Sequence, residues 1–203
     1  AVGVQGDYAY VTHWTTGTFE VIDISNPSSP KIVGTASSGS GAYGSVEVRG
    51  RYVYVTQPTT SSILIFDVSV PRSPRLAKTL TLASGPDYLE IVDNLMYATS
   101  DGGSDYVYVF DITSPESPVL IGQSTGTSDS YAAVAVRDRY AYVLGNSTFN
   151  VFDVSNPTTP ASIAQITVGA SGGNYDIDLQ GGYAYVANWN TQKLYVVDIS
   201  NPI

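Results

Sequence analysis

The amino-acid sequence predicts an all-β fold made of five copies of one small antiparallel sheet. A phrase with one Asp, a Pro four residues later and a second Pro three residues further recurs along the chain, and its fifth copy breaks off after the first Pro. Its aspartates are 44, 44, 42 and 45 residues apart, and such a period indicates a repeat architecture. Each full repeat contains four short β-prone runs, and none has a helical period. Four-stranded units of this length are typical of the blades of a β-propeller.

The first two strands of each repeat, A and B, are predicted to form a hairpin. In the first repeat they read AVGVQ at 1–5 and YAYVT at 8–12, and Gly6-Asp7 joins them. Two-residue hairpin turns need positive φ angles, which Gly, Asn and Asp adopt most easily. Equivalent pairs precede strand B in the other repeats: Gly50-Arg51, Asp93-Asn94, Asp138-Arg139 and Gly181-Gly182.

The recurring phrase contains strand C and the turn to strand D. In the first repeat FEVIDISNPSSP at 19–30 precedes strand D, KIVGT at 31–35. A carboxylate here can accept the backbone N–H groups of the turn, and the prolines preset φ. The alternative, a ring of acidic ligands, is disfavoured because the five positions lie in the same place on separate blades. We therefore expect turn capping by Asp23, Asp67, Asp111, Asp153 and Asp198.

The repeats predict a single domain over residues 1–203. The blade boundaries fall near 1–36, 37–80, 81–125, 126–168 and 169–203, and the fifth blade lacks strand D. We expect the blades to close into a ring of five, which leaves the edge of the last strand C open. This edge is β-prone, and we expect it to recruit a strand from the parent chain or from a neighbouring copy, the latter giving a homo-oligomer or filament. Its residues are Leu194, Tyr195, Val196, Val197, Asp198 and Ile199.

The phrases VIDISNPSSP, VFDVSNPTTP and VVDISNPI, which follow YAYV, resemble the LVIVD repeat family of bacterial and archaeal β-propellers. The resemblance covers essentially the whole chain. Blades 2 and 3 depart from it, with Val70-Pro71 and Ser114-Pro115 in place of Asn-Pro and Leu95-Met96 in place of Tyr-Ala. The resemblance implies a secreted or cell-surface protein, often one module of a larger chain, and it implies no particular reaction.

Composition narrows the functional classes further. The net charge of -9 disfavours nucleic acid and anionic membrane surfaces as partners, and no apolar run is long enough to span a bilayer. The chain has no Cys, which excludes disulfides and thiolate chemistry. It begins with Ala1 rather than Met, so we expect processing or excision from something longer. The acidic, Ser-, Thr-, Gly- and Tyr-rich composition favours an extracellular or cell-surface location.

Variable loops predict where a ligand binds. The B–C and D–A loops share one rim of a propeller and differ in length and content between blades, whereas the A–B and C–D turns are alike. Aromatic planes beside polar groups suit a glycan or a protein ligand. The alternative is that these aromatic residues pack between the blades. The candidates are Trp14 and Trp189, in the B–C loops of blades 1 and 5, and Tyr43, Tyr88, Tyr131 and Tyr175, near the start of strand A.

Carboxylates on strand A raise two less favoured functions, a cation site and a glycosidase. Glu47, Glu90 and Asp178 occupy equivalent positions, with Asp176 nearby. Blade 4 has Ala135 and blade 1 has Gly3 at that position, so the pattern is incomplete. We therefore expect no enzymatic activity, no cofactor and no metal.

Three further features carry weaker hypotheses. His13 is the only histidine and has no nucleophile motif around it. The run from Asp101 to Asp105 lacks the spacing of a calcium loop and is interpreted as a solvated turn. Asn146 begins an N-glycosylation sequon in the B–C turn of blade 4.

Overall fold

The computed structural model describes residues 1–13, 16–37, 39, 44–101, 105–126, 129–169 and 173–202. These residues form five antiparallel sheets of four, four, four, four and three strands, which confirms the all-β propeller prediction. Their only helical element is a 3-10 turn at Pro58–Thr60. None of them belongs to a helix with the length and apolar character that crossing a membrane requires.

Each sheet is one blade, and its strands lie in chain order from A to D. Blades 1 and 2 consist of β1 (Val2–Gln5), β2 (Tyr8–Thr12), β3 (Thr18–Asp23), β4 (Lys31–Ser37), β5 (Val46–Arg49), β6 (Tyr52–Gln57), β7 (Ser62–Asp67) and β8 (Arg75–Thr81). Blade 3 consists of β9 (Pro86–Val92), β10 (Leu95–Ser100), β11 (Val107–Asp111) and β12 (Val119–Gln123). Blades 4 and 5 consist of β13 (Ala133–Arg137), β14 (Tyr140–Leu144), β15 (Thr148–Asp153), β16 (Ala161–Thr167), β17 (Asn174–Gln180), β18 (Tyr183–Asn188) and β19 (Lys193–Asp198).

The A–B turns have the backbone conformation that their residues predict. The first residue of each turn has a positive φ, between 52° and 59°. Glycine adopts this region at no steric cost, and Asp is among the few other residues that tolerate it. The five residues are Gly6, Gly50, Asp93, Asp138 and Gly181.

The repeated aspartates all make the same hydrogen bond. In each blade the carboxylate at the end of strand C accepts the backbone N–H two residues later, at distances of 2.8 to 3.0 Å. The C–D turn of each four-stranded blade then closes with a backbone hydrogen bond, as from Ser73 N–H to the Val70 carbonyl. In blade 4, a second hydrogen bond from Ser155 and the neighbouring Arg139 lower the pKa of Asp153 to about 2. These turns form one rim of the molecule, which we name the turn face.

Asp67 has more partners than the other four aspartates. It is almost fully buried, and its second carboxylate oxygen lies 2.7 Å from the Arg75 guanidinium. Arg75 also contacts Glu116, at 3.1 Å, and Glu116 accepts a hydrogen bond from Tyr52 at 3.0 Å. Because Glu116 belongs to blade 3 and the other residues to blade 2, this network joins two blades at the turn face.

Apolar side chains fill the space between neighbouring blades. Each blade has a leading face, which contacts the next blade in the chain, and a trailing face, which contacts the previous one. Between blades 1 and 2, Phe19 of the leading face stacks on Phe66 of the trailing face with ring centroids 4.3 Å apart. Similar apolar clusters lie between blades 2 and 3, 3 and 4, and 4 and 5. The core is therefore a series of four interblade layers.

The five blades form an open arc, so the prediction of a closed ring is wrong. Strand A of each blade packs against strand A of the next, from β1 through β5, β9 and β13 to β17, but no comparable packing joins β17 to β1 among the described strands. The alternation of apolar residues shows which face of a strand is buried. It does not show the angle between two blades, because that angle depends on how the side chains between them fit together.

The outer edge of β19 has no partner strand within the described residues. The strand differs by one residue from its predicted range, since it begins at Lys193 and ends at Asp198. Ile199 is therefore not part of the open edge. It is buried in the layer between blades 4 and 5, and its N–H donates to the Gly182 carbonyl at 2.8 Å.

We predict that Asp67→Ala lowers the free energy of unfolding by roughly 2 kcal/mol, because it removes charged hydrogen bonds to Ser69 and Arg75 in a buried turn. Chemical denaturation followed by circular dichroism measures the change. Asp111→Ala is the control, since Asp111 is less buried than Asp67. Among the described residues, its carboxylate accepts a hydrogen bond from Thr113 and does not take part in a network like that of Arg75 and Glu116. The control variant should lose less stability than Asp67→Ala. Equal denaturation midpoints for the two variants would contradict the prediction.

Candidate functional site

The A strands of the five blades line a cleft along the axis of the arc. Its volume is about 790 Å³, and every blade contributes residues to its wall. The A strands begin at the rim that carries the B–C and D–A loops, which we name the loop face. Four carboxylates line the cleft, from Glu47, Glu90, Asp176 and Asp178, and Arg137 is its basic side chain.

Glu47, Glu90 and Asp178 line this cleft from equivalent positions. Each is paired with the tyrosine at the third position of its strand B, which places all three in the same register. Burial raises the pKa of Glu90 to about 7, and the nearby Glu47 and Asp178 add to the effect, while a 2.7 Å hydrogen bond from Val136 N–H opposes it. Burial also raises the pKa of Glu47. The described residues contain no group of three or more His, Asp or Glu side chains that could hold a metal ion.

The predicted aromatic candidates divide into three groups. Trp14 and Tyr43 lie outside the described residues. Tyr131 is 2% exposed and packs edge-on against Phe152 with centroids 6.0 Å apart, so it belongs to the core and cannot stack on a ligand. Tyr88, Tyr175 and Trp189 remain on the loop face. Tyr88 is partly buried in the cleft wall, where burial and then the nearby Tyr175 and Asp176 raise its pKa to about 12.

A β-bulge at the start of β17 presents Tyr175 to solvent. The pairing with β18 shifts between Asn174 and Asp176, so Tyr175 has no partner in the ladder, and its side chain is 63% exposed. Bulges of this kind re-aim side chains and are common next to functional sites. Trp189 is 65% exposed at the same end of blade 5, and its backbone N–H donates to the Gly173 carbonyl at 2.9 Å. Two exposed aromatic residues therefore lie at one end of blade 5, and Tyr175 also lines the cleft.

The arc also changes one expected relationship. A closed ring would make blades 1 and 5 neighbours, and these are the blades whose B–C loops contain Trp14 and Trp189. Among the described strands, those of blades 1 and 5 do not pack against each other in the way that successive blades do. The exposed aromatic pair of the loop face comes from within blade 5 instead.

Other loop-face residues act as anchors. Asp105 is buried and accepts the Ser130 N–H at 2.9 Å, so the interpretation of this segment as a solvated turn is wrong at Asp105. Burial, followed by the charges of Asp101 and Asp105, raises the pKa of Asp87 to about 6. Sequence reasoning missed Asp129, whose carboxylate accepts hydrogen bonds from Thr148 and Asn150 and holds the B–C turn of blade 4. Asp129 could have been noticed only as an isolated Asp in a Ser- and Thr-rich loop.

Asn146 and His13 occupy different environments. Asn146 is exposed, and its backbone N–H donates to the Asp129 carbonyl at 2.8 Å. The imidazole Nε2 of His13 lies 3.0 Å from the Glu20 carboxylate on the trailing face of blade 1. His13 thus contacts Glu20 in the first blade of the arc.

Comparison with protein-family models matches the LVIVD repeat to residues 1–37, 40–81, 130–167 and 171–202. The chain belongs to the LVIVD repeat family. The unmatched stretch covers blade 3 of this LVIVD protein, where Leu95-Met96 and Ser114-Pro115 replace the usual residues. The prediction from the repeated phrases is confirmed. A comparison with curated proteins gave no match.

Several solved structures resemble the LVIVD chain. The computationally designed Ika8 protein has a TM-score of 0.76 and 14% identity, over 98% of this chain and 57% of that chain. A protein from Lactobacillus plantarum has a TM-score of 0.79 and 16% identity, over 95% of this chain and 67% of that chain. A putative 6-phosphogluconolactonase from Bacteroides fragilis has a TM-score of 0.81 and 15% identity, over 97% of this chain and 65% of that chain. These identities show the fold alone, and the chain spans little more than half the length of Ika8.

We predict that the cleft makes stability depend on pH through Glu90. The folded protein keeps the Glu90 proton up to a pKa of about 7, whereas the unfolded chain loses it near the ordinary value of 4.5. Folding therefore takes up a proton between these values, and the free energy of unfolding falls as pH rises from about 4.5 to 7. Glu90→Gln removes this pH dependence, and its side-chain oxygen can still accept the hydrogen bond from the Val136 N–H.

Denaturation midpoints at pH 4 and pH 8 test this prediction. The variant should match the parent protein at pH 4 and exceed it at pH 8 by on the order of 2 kcal/mol, since one pKa unit corresponds to about 1.4 kcal/mol. Asp87 titrates in both proteins, so its effect cancels in the comparison. An equal difference at the two pH values would show that Glu90 does not titrate as described.

Proposed function

We propose that the LVIVD chain is a non-enzymatic binding module of the cell surface or extracellular space, with a glycan as its ligand. The observation that carries this proposal is the pair of exposed aromatic side chains at one end of blade 5, Tyr175 on its bulge and Trp189 on the following B–C turn. An aromatic face stacks on the apolar face of a sugar ring, and adjacent polar groups orient its hydroxyls.

The charge of the cleft supports this class of ligand. Asp176 and Asp178 follow Tyr175 on β17 and line the cleft with Glu47 and Glu90. Carboxylates accept hydrogen bonds from hydroxyl groups, which sugars supply in abundance, and they repel phosphate and other anions. A protein ligand that presents hydroxyl or cationic side chains is the other partner this surface suits.

Location and the absence of catalysis are part of the same proposal. The acidic, Ser-, Thr-, Gly- and Tyr-rich composition favours a position outside the cell, which is also the location that the LVIVD resemblance implies. The exposed position of Asn146 is compatible with glycosylation of its sequon. Burial raises the pKa of Glu90 to about 7, and its hydrogen bond with the Val136 backbone fits a structural role.

A second candidate function is that of a structural subunit in an extracellular assembly. The unpaired outer edge of β19 favours it, because an exposed edge strand offers a row of backbone donors and acceptors to an incoming strand. Lys193 at the start of this strand is the type of residue that protects edges against such pairing. The strand could come from the parent chain or from a neighbouring copy.

We predict that the protein binds immobilised glycans and that Tyr175→Ala and Trp189→Ala each weaken this binding about tenfold, the loss of roughly 1.4 kcal/mol of stacking. A glycan array selects the ligand, and titration calorimetry measures its affinity. Val70→Ala is the control, because Val70 is an exposed residue on the turn face. The control should bind as the parent protein does.

Two results would contradict the proposal. One is unchanged affinity in both aromatic variants. The other is an array that shows no binding to any glycan. Binding to a protein ligand that still depends on Tyr175 and Trp189 would reassign the ligand class while keeping the site.

A further inference from the structure

The leading face of blade 5 has apolar residues at the positions whose side chains are buried in every other blade. Leu194 occupies the position at which the four preceding blades have side chains that are 0–2% exposed, yet Leu194 is 64% exposed. Val196, two residues later, is also largely exposed, although its counterparts are buried. The buried counterparts of Leu194 are Phe19, Ile63, Val107 and Phe149, and those of Val196 are Val21, Ile65, Val109 and Val151.

The trailing face of blade 1 is exposed in the same way. Val2 is 62% exposed, whereas the residues at its position in the other blades are 4–9% exposed: Val46, Leu89, Val134 and Ile177. Val4 on the same strand is equally exposed. Each end of the arc therefore presents one of the two surfaces that meet in every interblade layer.

The two end faces also have the residues that form a hydrogen-bonded contact between blades 1 and 2. The side-chain amide of Gln5 clasps the next A–B turn, donating to the Gly50 carbonyl at 2.8 Å and accepting the Gly50 N–H at 3.1 Å. Gln180 occupies the position of Gln5 in blade 5 and is exposed. Gly6 occupies the position of Gly50 in blade 1 and has the same backbone conformation, with φ angles of 58° and 59°.

We propose that copies of this chain associate head to tail, with the leading face of blade 5 in one copy packed on the trailing face of blade 1 in the next. Leu194 and Val196 then cover Val2 and Val4, and Gln180 clasps Gly6 of the neighbouring copy. The partner is a second copy because the chain itself joins these two kinds of surface four times. Contiguous exposed apolar surface of this kind typically marks an interaction site.

The two surfaces differ from each other, so the contact is heterologous. A heterologous contact leaves one free surface of each kind on every dimer, and association continues into rings or filaments. Glu20 is the acidic residue on the trailing face of blade 1, and it enters the contact already paired with His13 at 3.0 Å. The contact uses the flanks of the end blades, so it does not depend on the proposed glycan site at the loop face.

Two variants test the proposal, and each of them blocks one of the two end faces. Leu194→Asp places a charge on the leading face of blade 5, and Val2→Asp places one on the trailing face of blade 1. Both residues are exposed in the single chain, so both variants should fold. Val119→Asp is the matched control, because Val119 is exposed on the outer strand of blade 3, away from both end faces.

Sedimentation velocity over a wide concentration range gives the expected results. The parent protein and Val119→Asp form oligomers larger than dimers as concentration rises, and each blocked variant stays monomeric. An equimolar mixture of Leu194→Asp and Val2→Asp forms dimers and nothing larger, because one intact leading face meets one intact trailing face. Gln180→Ala weakens the association of the parent protein by roughly three- to tenfold, the range of one hydrogen bond.

Several results would overturn the proposal. A parent protein that stays monomeric at the highest concentration would do so. Oligomers that persist in both blocked variants would assign the association to another surface, such as the edge of β19. A mixture that fails to form dimers would also exclude head-to-tail pairing.

Discussion

The structure depends on one constraint: a four-stranded blade cannot bury its own two faces and must have a neighbour on each side. The stacked rings of Phe19 and Phe66 show how the constraint is met within the chain. Because every interblade layer needs both partners, stability comes from a series of nearest-neighbour contacts. The arc leaves the constraint unmet at two places, the leading face of blade 5 and the trailing face of blade 1.

The turn face and the loop face have different roles because the blades are held together in the layers between them. At the turn face, equivalent hydrogen bonds from backbone N–H groups to the repeated aspartates hold the C–D turns, and the network of Asp67, Arg75 and Glu116 joins blade 2 to blade 3. Such contacts leave little room for variation. At the loop face each blade uses different anchors, among them Asp105 and Asp129, so the loops there can differ without disturbing the layers below.

The axial cleft and blade 5 form a single region of the molecule. β17 contributes Asp178 to the cleft and, through its bulge, Tyr175 to the surface beside it. Among the described strands, β17 packs against the strand A of one neighbouring blade, whereas those of blades 2 to 4 each pack between two. A terminal blade thus has room for an exposed aromatic pair, whereas Tyr131 at an interior position is enclosed by its neighbours.

The sequence by itself determined the repeat unit, the order of its strands, the positive φ at the A–B turns and the family, because these depend on local residue pattern and backbone chemistry. It also placed Glu47, Glu90 and Asp178 in one register, since strand alternation carries that information. Only the tertiary structure decided that the blades form an arc, that Tyr131 is enclosed and that a bulge turns Tyr175 outward. These properties depend on how side chains from different blades fit together, and no single repeat contains that information.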